Sequence, residues 1–257
     1  MRPHRRRTAA AIIVVLVLVV AVTLAVLRHD PSTDVAVRTP ASASTSTTVS
    51  ATTHPTFTTE PSTTTTTLLP PLEQGSTDPR VLGLQQQLVD LGFWLPAADG
   101  EYGSDTMHAV VAFQKASGLT ADGVAGPLTL TALGRAERPS ARTVTGSGIE
   151  VDLTRQLLLV VADSRVQWVF DTSTGAKPGT TPVGEFIVLR QVDGYDRGPL
   201  GVLYRPKYFV GGVAVHGYPS VPSHPASHGC VRVTNAAMDW LWANDAMPLG
   251  SHVSVYE

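Results

Sequence analysis

The chain has 257 residues, one cysteine and a formal net charge of −2 at pH 7. That length suits one or two modest domains with additional segments, and the near-neutral balance gives no footing for a polyanion such as nucleic acid. A single cysteine forms no internal disulfide, which leaves buried filler, an intermolecular bridge or a reactive thiol.

The N-terminus reads as an export signal. Arg2, Arg5, Arg6 and Arg7 precede an apolar run from Ala9 to Leu27 that only Thr23 interrupts. This run is about the length a helix needs to cross the hydrocarbon layer. Arg28 alone flanks its far side, so the positive-inside rule keeps the first residues in the cytoplasm and places the remainder outside. The run exceeds a usual signal-peptide core, and AVLRHD offers no small-x-small cleavage site. Residues 1–28 are therefore expected to be a cytoplasmic N-terminus and uncleaved signal-anchor, with the rest of the chain on the outer side of the cell membrane. Cleavage would make the chain secreted. An unpaired thiol outside the cytoplasm calls for a purpose, which weighs against filler.

Residues 29–71 are dominated by Thr, Ser, Ala and Pro (TSTTVSATTHPTFTTEPSTTTTTLLPP). Such a segment has too little apolar surface to offset its ordering entropy and is expected to be a disordered tether.

Residues 72–135 are expected to form a small all-α domain of three helices. Leu82, Leu84, Leu88 and Leu91 recur at near-helical spacing, with Asp78 as N-cap, Pro79 at the first helical position and Gly92 as C-cap. SDTMHAVVAFQKASG makes a second helix with Val110, Val111 and Phe113 inward, and GPLTLTALG a third. Asp99–Thr106 and Asp122–Thr129 repeat the pattern D-G-x-x-G-x-x-T. The plainest account is a turn leading into a helix each time. Val81-x-x-Leu84-Gln85-x-x-Leu88, Leu91-Gly92, Ala109-Val110-x-x-Phe113-Gln114, Gly118-Leu119 and the two DGxxG stretches together resemble the peptidoglycan-binding-domain-1 family. The resemblance implies a module that grips the cell wall.

After a linker carrying Arg135, Arg138, Pro139 and Arg142, residues 143–257 read mainly as strands. GIEVDLTRQLLLVVADSRVQWVFDTSTG supplies an apolar and an alternating run around a turn at Ala162-Asp163-Ser164. TPVGEFIVLR, VGGVAVHG and SHVSVYE supply more. One helix is expected after the cysteine, capped by Thr234 and running through NAAMDWLWAND.

The lone Cys230 lies in HPASHGCVRV, residues 224–233. A thiol becomes a nucleophile when a nearby base or backbone N–H groups favour its thiolate. His216 closes the apolar run Val213–Val215 and is expected at a fixed strand end. Gly229 would let the backbone approach a substrate, and the N–H groups of 228, 229 and 230 would then face a developing oxyanion. Ser227 would orient the loop, and Arg232 would meet a substrate carboxylate. On the residues alone four readings stand: histidines without a special task, a metal site from His216, His224, His228 and Cys230, a redox thiol, or a Cys/His acyl-transfer site. The irregular spacing, without an HxxxH pair on a helix or a CxxC pair, speaks against zinc.

His216-Gly217 followed by Ser227-His228-Gly229-Cys230-Val231-Arg232 resembles the signature of the L,D-transpeptidase (YkuD-type) catalytic domain, in a short-gap form with PASHGCVR. Ile149-x-Val151-Asp152-Leu153-x-x-Gln156-x-Leu158, Ser173-Thr174-Gly175 and Thr181-Pro182-x-Gly184-x-Phe186 agree with it in order. Arg232 stands where the family often carries Asn. The resemblance implies Cys230 as nucleophile, His216 as proton donor and acceptor, and Ser227, His228 and Gly229 as oxyanion or supporting groups. Arg232 is kept as a candidate substrate contact. It further implies 3→3 cross-linking of peptidoglycan stem peptides with release of D-Ala, no cofactor or metal, and inactivation by carbapenems. Transfer to water, an L,D-carboxypeptidase, and a silent wall-binding protein are the alternatives. The expected partners are peptidoglycan stem peptides and glycan, with the membrane contacted through the N-terminal helix.

Overall fold

The computed structural model describes residues 69–199 and 201–257. The expected signal-anchor 1–28 and all but the last residues of the tether 29–71 lie outside the described residues. Among the described residues no helix is long and apolar enough to cross a membrane.

Helices α1 (Arg80–Asp90), α2 (Ser104–Ala116) and α3 (Pro127–Leu133) form the helical part. Val81, Leu84, Gln85 and Leu88 make the buried face of α1. Leu82 is exposed, a correction to the inward stripe: one position after Val81, it lies about 100° around the helix from the buried row. The start of α1 shifts by one residue, with Pro79 in the cap position and the Asp78 carboxylate accepting the Arg80 N–H at 2.9 Å. Gly92 (φ 86°) ends α1 as expected: Phe93 N–H bonds Leu88 O at 2.8 Å and Gly92 N–H bonds Val89 O at 2.9 Å, a Schellman closure.

The repeated D-G-x-x-G-x-x-T has a cause the sequence did not reveal. Each copy wraps a buried glutamine. Gln85 Nε2 donates to Asp99 Oδ1, Glu101 O and Thr106 Oγ1, while Gly100 N–H donates to Gln85 Oε1. Gln114 does the same with Asp122 Oδ1, Val124 O and Thr129 Oγ1, and accepts from Gly123 N–H. The Asp places an acceptor, the Gly offers its N–H, and the Thr closes the ring of partners. Both buried amides are satisfied at each end.

The β part begins with β1 (Gly148–Asp152), β2 (Leu157–Ala162), β3 (Arg165–Asp171) and β4 (Gly184–Ile187). Next come β5 (Arg190–Gln191), β6 (Tyr195–Gly198), β7 (Gly201–Val210), β8 (Val213–Tyr218) and β9 (Val231–Thr234). Helix α4 (Asn235–Ala243) and β10 (His252–Tyr256) complete it. One sheet has the order β3-β2-β1-β10-β4 and the other β5-β7-β8-β9, with β6 paired to β7. The result is the expected mainly-β domain with one helix after the cysteine, and Thr234 caps that helix by accepting the Ala237 N–H at 3.1 Å. The turn at Asp163-Ser164 has φ of 51° and 61°, the primed geometry that suits a tight hairpin. The run expected as one strand over TPVGEFIVLR divides between the two sheets: Val188 N–H bonds Ser251 O and Leu189 N–H bonds Tyr208 O. Strands β6 and β7 were not expected. Pro206 interrupts β7, Arg205 takes φ 50°, and the register slips between Tyr204 and Lys207, so the alternation breaks where a sequence reader would need it.

The helical and β parts are joined by more than a linker. Residues 92–94 lie along the edge of β3, with Val169 N–H bonded to Gly92 O at 2.8 Å and Trp94 N–H to Val169 O at 3.0 Å. Arg138 bonds Asp90 O and Gln167 O, both at 2.8 Å. Lys115, buried at 8% exposure, reaches from α2 to Asp171 Oδ1 and Thr172 O. His108 Nδ1 lies 2.7 Å from Asp171 Oδ2. Burial pushes the Lys115 ammonium down in pKa, against the pull of the Asp171 carboxylate.

Candidate active site

Parallel pairing of β8 with β9 sets the site. Val215 opposes Val231, and both are fully buried. Side chains alternate along strands, so His216, Cys230 and Arg232 project together on the face away from that core. His216, Ser227, His228, Gly229, Cys230 and Arg232 line one cavity of about 540 Å³. All six expected residues are therefore brought together. His224 lies outside it, exposed, with its carbonyl accepting Ser173 Oγ at 2.7 Å. No group of three or more His, Cys, Asp or Glu side chains among the described residues is placed to hold a metal ion.

His216 is 2% exposed and lies inside β8, not at its end. Its Nδ1 is 2.8 Å from Gly217 O. A carbonyl only accepts, so Nδ1 carries the hydrogen and Nε2 is left with a free lone pair. Burial is the main influence on this imidazole and takes its pKa down to about 4; the Gly217 carbonyl opposes the fall and the Arg232 cation adds to it. Burial likewise pushes the Cys230 thiol up, against the pull of the Ala214 backbone N–H and the Arg232 cation. Near neutral pH the site thus rests as thiol and neutral imidazole, not as thiolate and imidazolium.

The loop before Cys230 is tied at several points. Ser227 Oγ accepts the Gly229 N–H at 2.9 Å and donates to Cys230 O at 2.6 Å. This bears on the expected oxyanion donors: the Gly229 N–H is already engaged by Ser227, leaving those of His228 and Cys230. Gly229 also serves a different end from the one expected. It has φ 138°, and a Cβ there would stand 2.5 Å from Thr180 O, so the glycine admits a neighbouring loop, not a substrate. Thr181 Oγ1 takes a bond from Gly175 N–H and donates to Gly229 O at 2.8 Å. Ala226 N–H and Ser227 N–H both bond Thr174 O. Ser173 exchanges both backbone bonds with Arg232, at 3.1 and 2.9 Å. The STG and TPxG stretches are thus the frame of the cysteine loop.

Arg232 stacks its guanidinium over Tyr218, 4.3 Å from the ring centroid, and donates to Ala226 O at 3.3 Å. Its Nε is buried without a partner. Tyr218 was missed in the sequence, although its position two residues after His216 on one strand places it on the same face. A second cavity of about 360 Å³, bounded by Arg190, Asp196 and Tyr208, meets the first at Cys230 and Gly201 beneath the β6–β7 pair.

Comparison with known proteins agrees with this class of molecule: a two-sheet β domain with a thiol and a neutral imidazole in one cavity, attached to a three-helix unit. The family model for the L,D-transpeptidase catalytic domain (YkuD) matches residues 146–255, and that for the peptidoglycan binding domain matches residues 77–133. The solved L,D-transpeptidase of Xylanimonas cellulosilytica is 49% identical, with a TM-score of 0.69 over 72% of this chain and 97% of that one. The chain belongs to the YkuD-type L,D-transpeptidase family.

Among curated relatives, an N-acetylmuramoyl-L-alanine amidase of Bacillus licheniformis is 49% identical over 72 residues, and one of Mycobacterium tuberculosis 45% over 53 residues. These likenesses fall on the peptidoglycan-binding region. The chain spans only 20% and 13% of those two proteins.

Proposed function

We propose that the chain is a peptidoglycan L,D-transpeptidase that forms 3→3 cross-links through an acyl-enzyme on Cys230. The observation that carries this reading is the sharing of one cavity by Cys230 and a buried His216 whose free nitrogen is Nε2. As Sγ attacks the carbonyl between the third and fourth residues of a stem tetrapeptide, its proton passes to Nε2. The resulting imidazolium is stabilised only while charge develops, because burial disfavours it at rest. The N–H groups of His228 and Cys230 offer hydrogen bonds to the oxyanion. His216 then protonates the departing D-Ala amine, and the thioester remains. An amine from a second stem, deprotonated by His216, attacks the thioester and restores the thiol.

Two further features support the assignment. The Arg232 guanidinium, with an unpartnered Nε, suits the terminal carboxylate of a stem peptide. Two cavities meeting at the thiol suit a donor and an acceptor that arrive from different sides. Peptidoglycan is the natural substrate for a chain that joins this catalytic domain to a wall-binding one. The apolar run from Ala9 to Leu27 would hold the enzyme on the outer face of the cell membrane, with residues 29–71 as the tether.

The test is intact mass of the full chain after exposure to meropenem. A drug-sized adduct on the wild type and none on Cys230→Ala is expected; an adduct on both rejects the nucleophile. Release of D-Ala with and without an added amine then identifies the acceptor. Cross-linked product supports transpeptidation, whereas hydrolysed product alone would make the chain a carboxypeptidase.

A further inference from the structure

Three of the four tryptophans gather at a place the transpeptidase reaction does not use. Trp94 follows α1, Trp168 lies on β3 and Trp240 on α4. Together they line a groove of about 480 Å³ between the helical and β parts. Trp240 is central, with its ring centroid 6.4 Å from Trp94 and 6.0 Å from Trp168, edge-on to the latter at 74°. Trp94 stacks on Phe170 at 5.3 Å, which anchors this floor in the core. Trp168 and Trp240 are only half-buried. Folding has left large apolar ring surface in contact with water.

The rim is polar in a particular way. Gln86 and Asp90 are exposed and stand one helical turn apart on α1. Neither side chain makes a hydrogen bond or ion pair among the described residues. Among the described residues no lysine or arginine lines the groove. Arg138, which lies close by, is occupied with the carbonyls of Asp90 and Gln167.

This composition selects a ligand class. A single carboxylate without a cation disfavours phosphates and free carboxylates, which count against an anionic polymer and against a stem peptide with its charged terminus. Aromatic faces beside an acceptor and an amide suit a neutral ring with apolar C–H faces and equatorial hydroxyls. Sites of this volume, mostly apolar with a few polar groups, are common where domains meet. The walls are also fixed, by the Arg138 bridge and by the pairing of residues 92–94 with β3, so ordering costs on binding are low.

We propose that this groove is a glycan subsite. It stacks pyranose rings of an N-acetylated amino-sugar strand on Trp168 and Trp240, and hydrogen-bonds ring hydroxyls through Asp90 and Gln86. The choice of sugar rests on the peptidoglycan reading above. The site is composite: the helical module supplies the polar rim and Trp94, and the catalytic domain supplies the two half-buried rings.

The experiment titrates the full chain with the β-1,4-linked tetramer of N-acetylglucosamine, followed by tryptophan fluorescence and calorimetry. Saturable binding is expected, weakened at least tenfold by Trp168→Ala and by Asp90→Ala, and largely kept by Trp168→Phe. All variants should still form the meropenem adduct, which shows that they are folded. Absence of saturable binding, or equal affinity in wild type and both alanine variants, overturns the proposal. So does displacement of the tetramer by a sugar-free stem peptide. A chain that binds the tetramer through these residues but takes no adduct upholds the groove and rejects the reading of Cys230 instead.

Discussion

Burial that brings the His216 imidazole to a pKa of about 4 has a kinetic consequence. Nε2 accepts a proton only when it carries none, so acylation of Cys230 by meropenem should hold steady as pH falls past 6 and decline with a midpoint near 4. An ordinary exposed histidine would give a midpoint near 6.5. His216→Asn should slow acylation by about 10²–10⁴-fold and remove that acid limb, as stopped-flow rates across pH will show. Gly229→Ala places a Cβ 2.5 Å from Thr180 O at φ 138°. A loss of about 1–3 kcal/mol is expected from the backbone strain alone, visible as a lower Tm together with a weaker adduct. The residues that meet in the cavity were legible in the sequence because the signal resides in their types: one thiol, one histidine after an apolar run, one Ser-His-Gly before the thiol. The reason for Gly229 was not legible. The atom that forbids a side chain there belongs to Thr180, a residue distant in the chain, and no local pattern announces it.

At the scale of elements, the two buried glutamines explain a repeat that reads in sequence only as turns. Gln85→Leu keeps the volume but leaves the Gly100 N–H without its acceptor and the buried Thr106 hydroxyl without the amide that donates to it. A cost of about 1–3 kcal/mol is expected, measurable as a shift of the urea midpoint at unchanged slope. The α2–β3 contact should be more sensitive. Lys115→Met strips the cation from buried Asp171 and should cost about 3–5 kcal/mol, with Lys115→Met/Asp171→Leu recovering part of it. Helices were legible from spacing and glycine stops, since those signals are local. Leu82 shows their limit, because an apolar residue one step off the buried row still reads as part of the stripe. Strand β7 was illegible for a related reason: a proline and a positive φ interrupt it, and only pairing to β5, β6 and β8 on both sides holds it extended.

The whole molecule responds to acid through two buried groups. Glu150 is 0% exposed. Burial raises its pKa, but bonds from the backbone N–H groups of Val144, Thr143 and Arg142 and from the Tyr256 hydroxyl prevail and hold it below the usual carboxylate range. His216 is depressed from 6.5 to about 4. In both cases the unfolded chain takes up a proton before the native one does, so stability falls with pH. The loss begins below about 6.5 through His216 and continues below the ordinary glutamate range through Glu150. Melting curves from pH 7 to 3 should fall over both windows, with His216→Asn flattening the upper and Glu150→Gln the lower. The pairing of residues 92–94 with β3 bears on how the enzyme can be dissected. Sheet margins attract the margins of other sheets unless something occupies them, and here the occupant comes from the N-terminal module. A fragment starting at residue 143 would present a bare β3 to its neighbours, and insolubility of that fragment would reflect a lost chaperone-like cover, not a failure of the catalytic domain to know its fold.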